Sequence, residues 1–192
     1  MQPISRSIWP PHRAFYVRGM LFNSQSAARS IDQINAVFHV VTENSPEDPA
    51  GSLPVFYLLG ELQNLVVQAA TLSRYFWPAR KAHKWRGEEL RAMLEVGDDS
   101  HLKNRDLRNA IEHFDEKLDH FLAPGPVGHF LPEYVGPFQE PSEVAVHLFR
   151  AYYTDTGVFE LLGKRFEVQP LAAEVIRVHQ ALRKMDAPAN GS

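Results

Sequence analysis

LKNRDLRNAIEHFDEKLDHFL, residues 102–122, is the stretch on which the fold reading turns. Leu107, Ile111, Phe114, Leu118, Phe121 and Leu122 recur there at steps of four, three, four, three and one. At about 100° per residue they fill a single stripe. The spacing predicts one unbroken helix over 102–122. A helix with such a stripe packs against other helices, so an antiparallel four-helix bundle follows. Gly97, Asp98, Asp99 and Ser100 just before it read as a turn carrying an acidic or hydroxyl cap.

Upstream, Ile31, Ile34, Phe38 and Val41 mark a helix over roughly 23–43, and the Pro-rich run 45–54 reads as a loop. A long apolar helix is expected from about Pro54 to Trp77, with Pro54 suited to a first turn and Pro78 blocking continuation. Its length would span a bilayer, but Glu61, Gln63, Asn64 and Gln68 interrupt it. It reads as a bundle helix, and no membrane partner is expected. A basic connector, 79–86, leads to a short helix near 87–96.

Downstream the composition changes. Pro124, Pro126, Pro132, Pro137 and Pro141 mark 123–143 as an irregular crossing segment. Residues 144–153 read as a strand, Thr154-Asp155-Thr156-Gly157 as a turn, and 158–162 and 165–168 as return strands with Gly163 as a bend. A helix over 171–184 closes the chain. The expected fold is therefore α+β and mainly α: a four-helix bundle (1–122), a Pro/Gly-rich connector (123–143), and a small β-hairpin plus C-terminal helix (144–186) leaning on the bundle.

Length and composition set outer limits. The chain has 192 residues, 44% of them apolar, enough for one good core but not for two ordinary domains. Twenty Lys and Arg against 23 Asp and Glu give a net charge of −3, unlike a dedicated nucleic-acid coat, though a local basic patch is compatible with it. With no Cys, disulfides, Cys-ligated zinc, iron–sulfur clusters and thiol catalysis are excluded. A reducing cytosol suits such a chain. No glycine-rich phosphate loop or nucleophile elbow is found, and no cofactor is implied.

Chemistry concentrates in Arg108-Asn109-Ala110-Ile111-Glu112-His113. On a straight helix Arg108 and His113 lie about 140° and ~7.5 Å apart. They flank a polar face that includes Arg105, Asn109, Glu112 and Glu116. Imidazole titrates near neutrality and serves as base or acid, while guanidinium matches phosphate oxygens with a planar fork. The pattern Arg-Asn-x-x-x-His resembles the signature of the HEPN superfamily, over residues 23–122. That resemblance implies a small helical bundle, a homodimer, and a metal-independent endoribonuclease of toxin or defence type, with RNA as substrate and an antitoxin-like protein as a further partner. By that resemblance Arg108 stabilises the phosphate, His113 acts as base or acid, Asn109 positions them, and two protomers complete one cleft.

Two other readings stand beside it. Three- and four-spaced opposite charges make the same face an ordinary solvated one, belonging to a non-catalytic interaction module. Glu112, Glu116 and His120, at spacings of four, are an alternative metal set. The connector adds a second candidate surface: Arg74, Arg80, Lys81, Lys84 and Arg86 with Trp85 interleaved, cations for a phosphate backbone and an aromatic for an unpaired base. The competing reading there is a core-facing helix end with solvated cations beside it.

Overall fold

Leu58, Leu59, Leu62, Leu65, Val66, Ala69, Leu72 and Phe76 follow one another at helical spacing, and all are almost fully buried. They make α2 (Val55–Phe76) the central rod of the molecule. By length and composition α2 is also long and apolar enough to cross a membrane. The computed structural model describes residues 7–44, 53–104, 106–140 and 143–187. Most of the expected 45–54 loop, Arg105 and Pro141 therefore lie outside the described residues.

α1 (Pro10–Asn44) packs along α2. It starts well before the expected Asn23, because Pro10 and Pro11 occupy the first turn, where a missing N–H costs nothing. The Trp9 carbonyl accepts from His12 and Arg13 and closes that turn. Of the polar residues that interrupt α2, Glu61 and Asn64 face α1, while Gln63 accepts from Arg150 of the sheet. Ser30 donates to Glu61, and Asn64 donates to Ser30 at 2.8 Å and to Ser26 at 3.3 Å. A buried polar group is tolerated where it is paired, and this ladder fixes the register of the two helices.

α3 (Lys84–Met93) ends in a left-handed residue, Glu95 at φ 54°, with Val96 N–H bonded to the Arg91 carbonyl at 2.9 Å. That Schellman-type closure stops the helix before the expected Val96. Residues 101–103 form one 3-10 turn. α4 (Asp106–Glu112) and α5 (Phe114–Leu122) follow, and α6 (Gln169–Asp186) closes the chain against α1.

The main correction concerns architecture. The second half is a four-stranded mixed sheet rather than a hairpin, and the helices do not form an antiparallel four-helix bundle. The strands β1 (His129–Gly136), β2 (Val146–Tyr153), β3 (Val158–Leu161) and β4 (Lys164–Glu167) lie in that order, with β1–β2 parallel and the other pairs antiparallel. β1 falls inside the segment expected to be irregular. Its Pro132 is admissible because β1 is an edge strand, where one side needs no N–H. Positions 137–145 have to retrace about 26 Å of strand with a reach of at most about 30 Å, which leaves no length for a crossover helix. Leu162 (φ 50°) and Gly163 (φ 75°) make the two-residue β3–β4 turn, both left-handed as a primed hairpin turn demands.

Val135, Tyr152, Phe159 and Leu161 face the helical core. On the other face Tyr134, Ala151, Glu160 and Arg165 form one row across all four strands. The expected single helix over 102–122 is broken at His113 (φ −120°, ψ 38°). Each half follows its own support: α4 leans on α2, where Arg74 pairs with Glu112, and α5 leans on the sheet through Phe114–Phe149 and Phe121–His147 ring contacts. Its apolar stripe thus meets strands and solvent rather than a bundle.

The α1–α6 seam carries a pH dependence. Ser24, fully buried, bonds His179 Nδ1 at 2.9 Å. Burial first, and Arg183 second, hold that imidazole below its ordinary value near 6.5, against a smaller opposing effect of Asp32. The unfolded chain therefore takes up this proton first, and the contribution to stability, full above pH 6.5, declines as the pH falls through the lowered native value. Thermal unfolding followed from pH 8 to pH 5 should show an acid-side decline that is shallower in His179→Asn. An unchanged profile would remove His179 as its source.

Candidate nucleic-acid interface

The sequence-expected residues are distributed unevenly. Asn109 is half-buried and lines a groove between the α4–α5 rod and the free edge of β4. His113 is exposed at the break. Of Arg108 the backbone sits in α4, while its side chain lies outside the described residues. The break does not sever the rod. His113 N–H bonds the Asn109 carbonyl and Lys117 N–H bonds the His113 carbonyl, both at 3.2 Å, so Asn109, His113 and Lys117 occupy three successive turns.

Of the five cations named for the second surface, Arg74 and Arg86 are taken up by structure. Arg86 Nη2 donates to the carbonyls of Arg74 (3.1 Å) and Tyr75 (3.4 Å), and Arg91 Nη1 donates to that of Phe76 (2.8 Å). These are terminal carbonyls of α2, which lack helical partners, and cations there also suit the helix dipole. Arg86 lies over Tyr16 and Arg91 over Trp77, each 5.3 Å from the ring centre. Trp85 is half-buried against the core, and Arg74 is engaged with Glu112. Arg80, Lys81 and Lys84 remain exposed. Of the alternative metal set, Glu112 is in that ion pair. Among the described residues no three His or carboxylate side chains are grouped to hold an ion.

What brings charge together is tertiary. The groove at Asn109, about 420 Å³, is walled by Lys117 of α5 and by Lys164, Arg165 and Phe166 of β4, with Asp106 at one end. Among the described residues, Lys117 and Lys164 take part in no ion pair. A second hollow of about 380 Å³ shares Asp106, Arg165 and Phe166 with the groove and has Val66, Ala69, Ala70, Leu102 and Leu171 in its wall. His101, Asn104 and Glu167 edge it.

The walls are anchored. Asn104 Oδ1 accepts from the Asp106 N–H at 2.8 Å and starts α4 in place of the expected Asp99 or Ser100. Ser100 caps the 101–103 turn as expected, its hydroxyl oxygen accepting from the Leu102 N–H at 3.4 Å, and it donates to Glu174 at 2.7 Å, which ties that turn to α6. Arg177 beside Glu174 holds its carboxyl below the usual range, and Ser100 adds to this. On β4, Arg165 Nε bonds Glu160 at 2.9 Å, and its guanidinium stands 4.7 Å from the Phe138 ring centre and 5.7 Å from that of Tyr153. Glu160 is only 8% exposed and also accepts from the Tyr153 hydroxyl at 3.0 Å. Burial, then the Glu160 charge, push Tyr153 up to about 12.

Sequence reasoning named Asn109 but not Lys117, Lys164 or Arg165, which line the same groove. The available signals were the four-residue step from His113 to Lys117 and a Lys-Arg pair directly after a Gly turn. Comparison with models of protein families, with curated proteins and with solved structures gives no match for this chain.

Proposed function

We propose that the protein binds single-stranded RNA along the groove of Asn109, Lys117, Lys164 and Arg165, and that the Arg108–Asn109–His113 motif beside it cleaves that RNA without a metal. One observation carries the reading. Two cations without ion-pair partners among the described residues share a groove with an amide of the motif, which lies on the same helical rod as an exposed imidazole. Ammonium groups in such a groove neutralise phosphates at little desolvation cost. The reading rests on the short motif and the groove, and not on the bundle fold that the HEPN resemblance implied.

The chemistry asked of these residues is a transesterification. His113 takes the ribose 2′-hydroxyl proton; the 2′-oxygen bonds to phosphorus as the bond from phosphorus to the 5′-oxygen breaks. The departing oxygen takes its proton from a second, protonated imidazole or from water. Arg108 and Asn109 are the donors assigned to the charge growing on the phosphate. The second imidazole is the reason a homodimer belongs to this reading. Phe114 (49% exposed), directly after His113, and Leu122 (45%) at the end of α5 leave apolar side chains of this helix open to a second copy.

The test is incubation of single-stranded RNA with the protein in EDTA, beside His113→Ala. Chelator-resistant cleavage to cyclic-phosphate ends, reduced at least about 100-fold in the variant, is the expected result. Light scattering on the same sample should give the mass of two chains. Equal cleavage by the variant contradicts the catalytic half of the reading; RNA binding without cleavage leaves a non-catalytic RNA-binding module.

A further inference from the structure

We infer that the two connected hollows form one ribonucleotide site: an unpaired base in the apolar hollow, a phosphate on Lys117 and Lys164, and the ribose 2′-hydroxyl on Asp106 between them. The inference rests on the RNA-binding reading and adds to it a preference for unpaired RNA over DNA. Its basis is the order of the parts. In a nucleotide the sugar joins base to phosphate, and here the Asp106 carboxylate, with Arg165 and Phe166, is shared by the walls of a hollow with an apolar floor and of one that holds two lysines.

Each part suits its occupant. Val66, Ala69, Ala70 and Leu102 are almost fully buried, so the floor is flat and apolar, and both volumes fall in the range of about 300–1,000 Å³ usual for small-molecule sites. His101, Asn104 and Glu167 offer polar groups at the rim for a base edge. A carboxylate is unfavourable for phosphate itself but is a good acceptor for a hydroxyl, and the 2′-hydroxyl is what separates RNA from DNA. Glu167 adds a second negative charge to the base hollow, which keeps phosphate to the lysine end. A duplex, with its bases stacked and paired, has no free base to insert. The nucleotide held here flanks the scissile one, whose 2′-hydroxyl is the one given to His113.

Anisotropy titrations of the full-length His113→Ala chain, which leaves the RNA intact, with labelled twelve-residue oligonucleotides of one sequence test this. Single-stranded RNA should bind about tenfold more tightly than single-stranded DNA, 2′-O-methyl RNA, or duplex RNA, the size of one hydrogen bond to a charged group. Adding Asp106→Ala should bring RNA to the DNA value and leave DNA binding unchanged or improved. The 2′-O-methyl comparison needs no change at Asp106, so it stands even if the Asp106→Ala chain fails to fold. RNA and 2′-O-methyl RNA binding equally overturns the ribose assignment while the RNA-binding reading stands. Duplex binding as tight as single strand overturns the base hollow. If no RNA binds, the reading on which the inference rests fails with it.

Discussion

Gly87→Val is expected to lower the free energy of unfolding by about 3 kcal/mol, the upper part of the range for overpacking. A Cβ at this position would stand 2.4 Å from the Phe76 carbonyl oxygen and 2.6 Å from Pro78 Cδ. Backbone and a proline ring cannot rotate away, so α3 itself would have to withdraw from the end of α2. Withdrawal would lift Leu90, fully buried, out of the core and pull Arg91 from the Phe76 carbonyl. Gly in an exposed helix interior is a weakness that Ala usually relieves by about 1 kcal/mol; here Ala should destabilise instead. Urea denaturation would show a lower midpoint at unchanged slope. A Gly87→Val midpoint equal to wild type would contradict the close packing of α3 on α2.

What was legible in the sequence was local. α2 announces itself through its run of Leu and Val and the prolines at both ends, and α6 through the three- and four-residue steps of Leu171, Val175, Val178 and Leu182. The β3–β4 hairpin is marked by Gly163. The elements missed were decided at a distance. β1 carries Pro132, a residue that argues against a strand unless its edge position is known, and it pairs in parallel with a strand whose first residue is ten positions beyond its last. The helix over 102–122 has an uninterrupted apolar period; its break comes from supports on two different elements, α2 and β2, which periodicity does not record.

The site divides the same way. Asn109 could be named because it belongs to a short contiguous motif. Lys164 and Arg165 join it only because β4 is the sheet edge facing α4, a consequence of strand order. The basic, aromatic connector shows the reverse: its composition suits RNA, but Arg86 and Arg91 are engaged by carbonyls that α2 leaves without partners. A cation count along the chain does not distinguish a phosphate contact from a helix cap.

The same contrast gives the second large effect. Lys117→Glu combined with Lys164→Glu should weaken single-stranded RNA binding by about 100-fold, from the loss of two charge-assisted contacts. Lys81→Glu with Lys84→Glu makes the same change of net charge on the exposed connector and should cost only the long-range share, which salt screens. The salt dependence should separate them further. Each phosphate contact to a single strand contributes about 0.7 to the slope of log affinity against log salt, so the groove variant should lose about 1.4. Both lysines of the groove are at least partly exposed, so the variant should unfold at the wild-type temperature.

The measurement that bears most directly on the account is therefore a titration of single-stranded RNA at two salt concentrations, with the His113→Ala chain, which leaves the RNA intact, and these two double variants made in it. A strong loss of affinity and a flatter salt slope in the groove variant alone is the predicted result. Equal losses in both variants, or a loss confined to the connector variant, would contradict the placement of RNA between α4–α5 and β4.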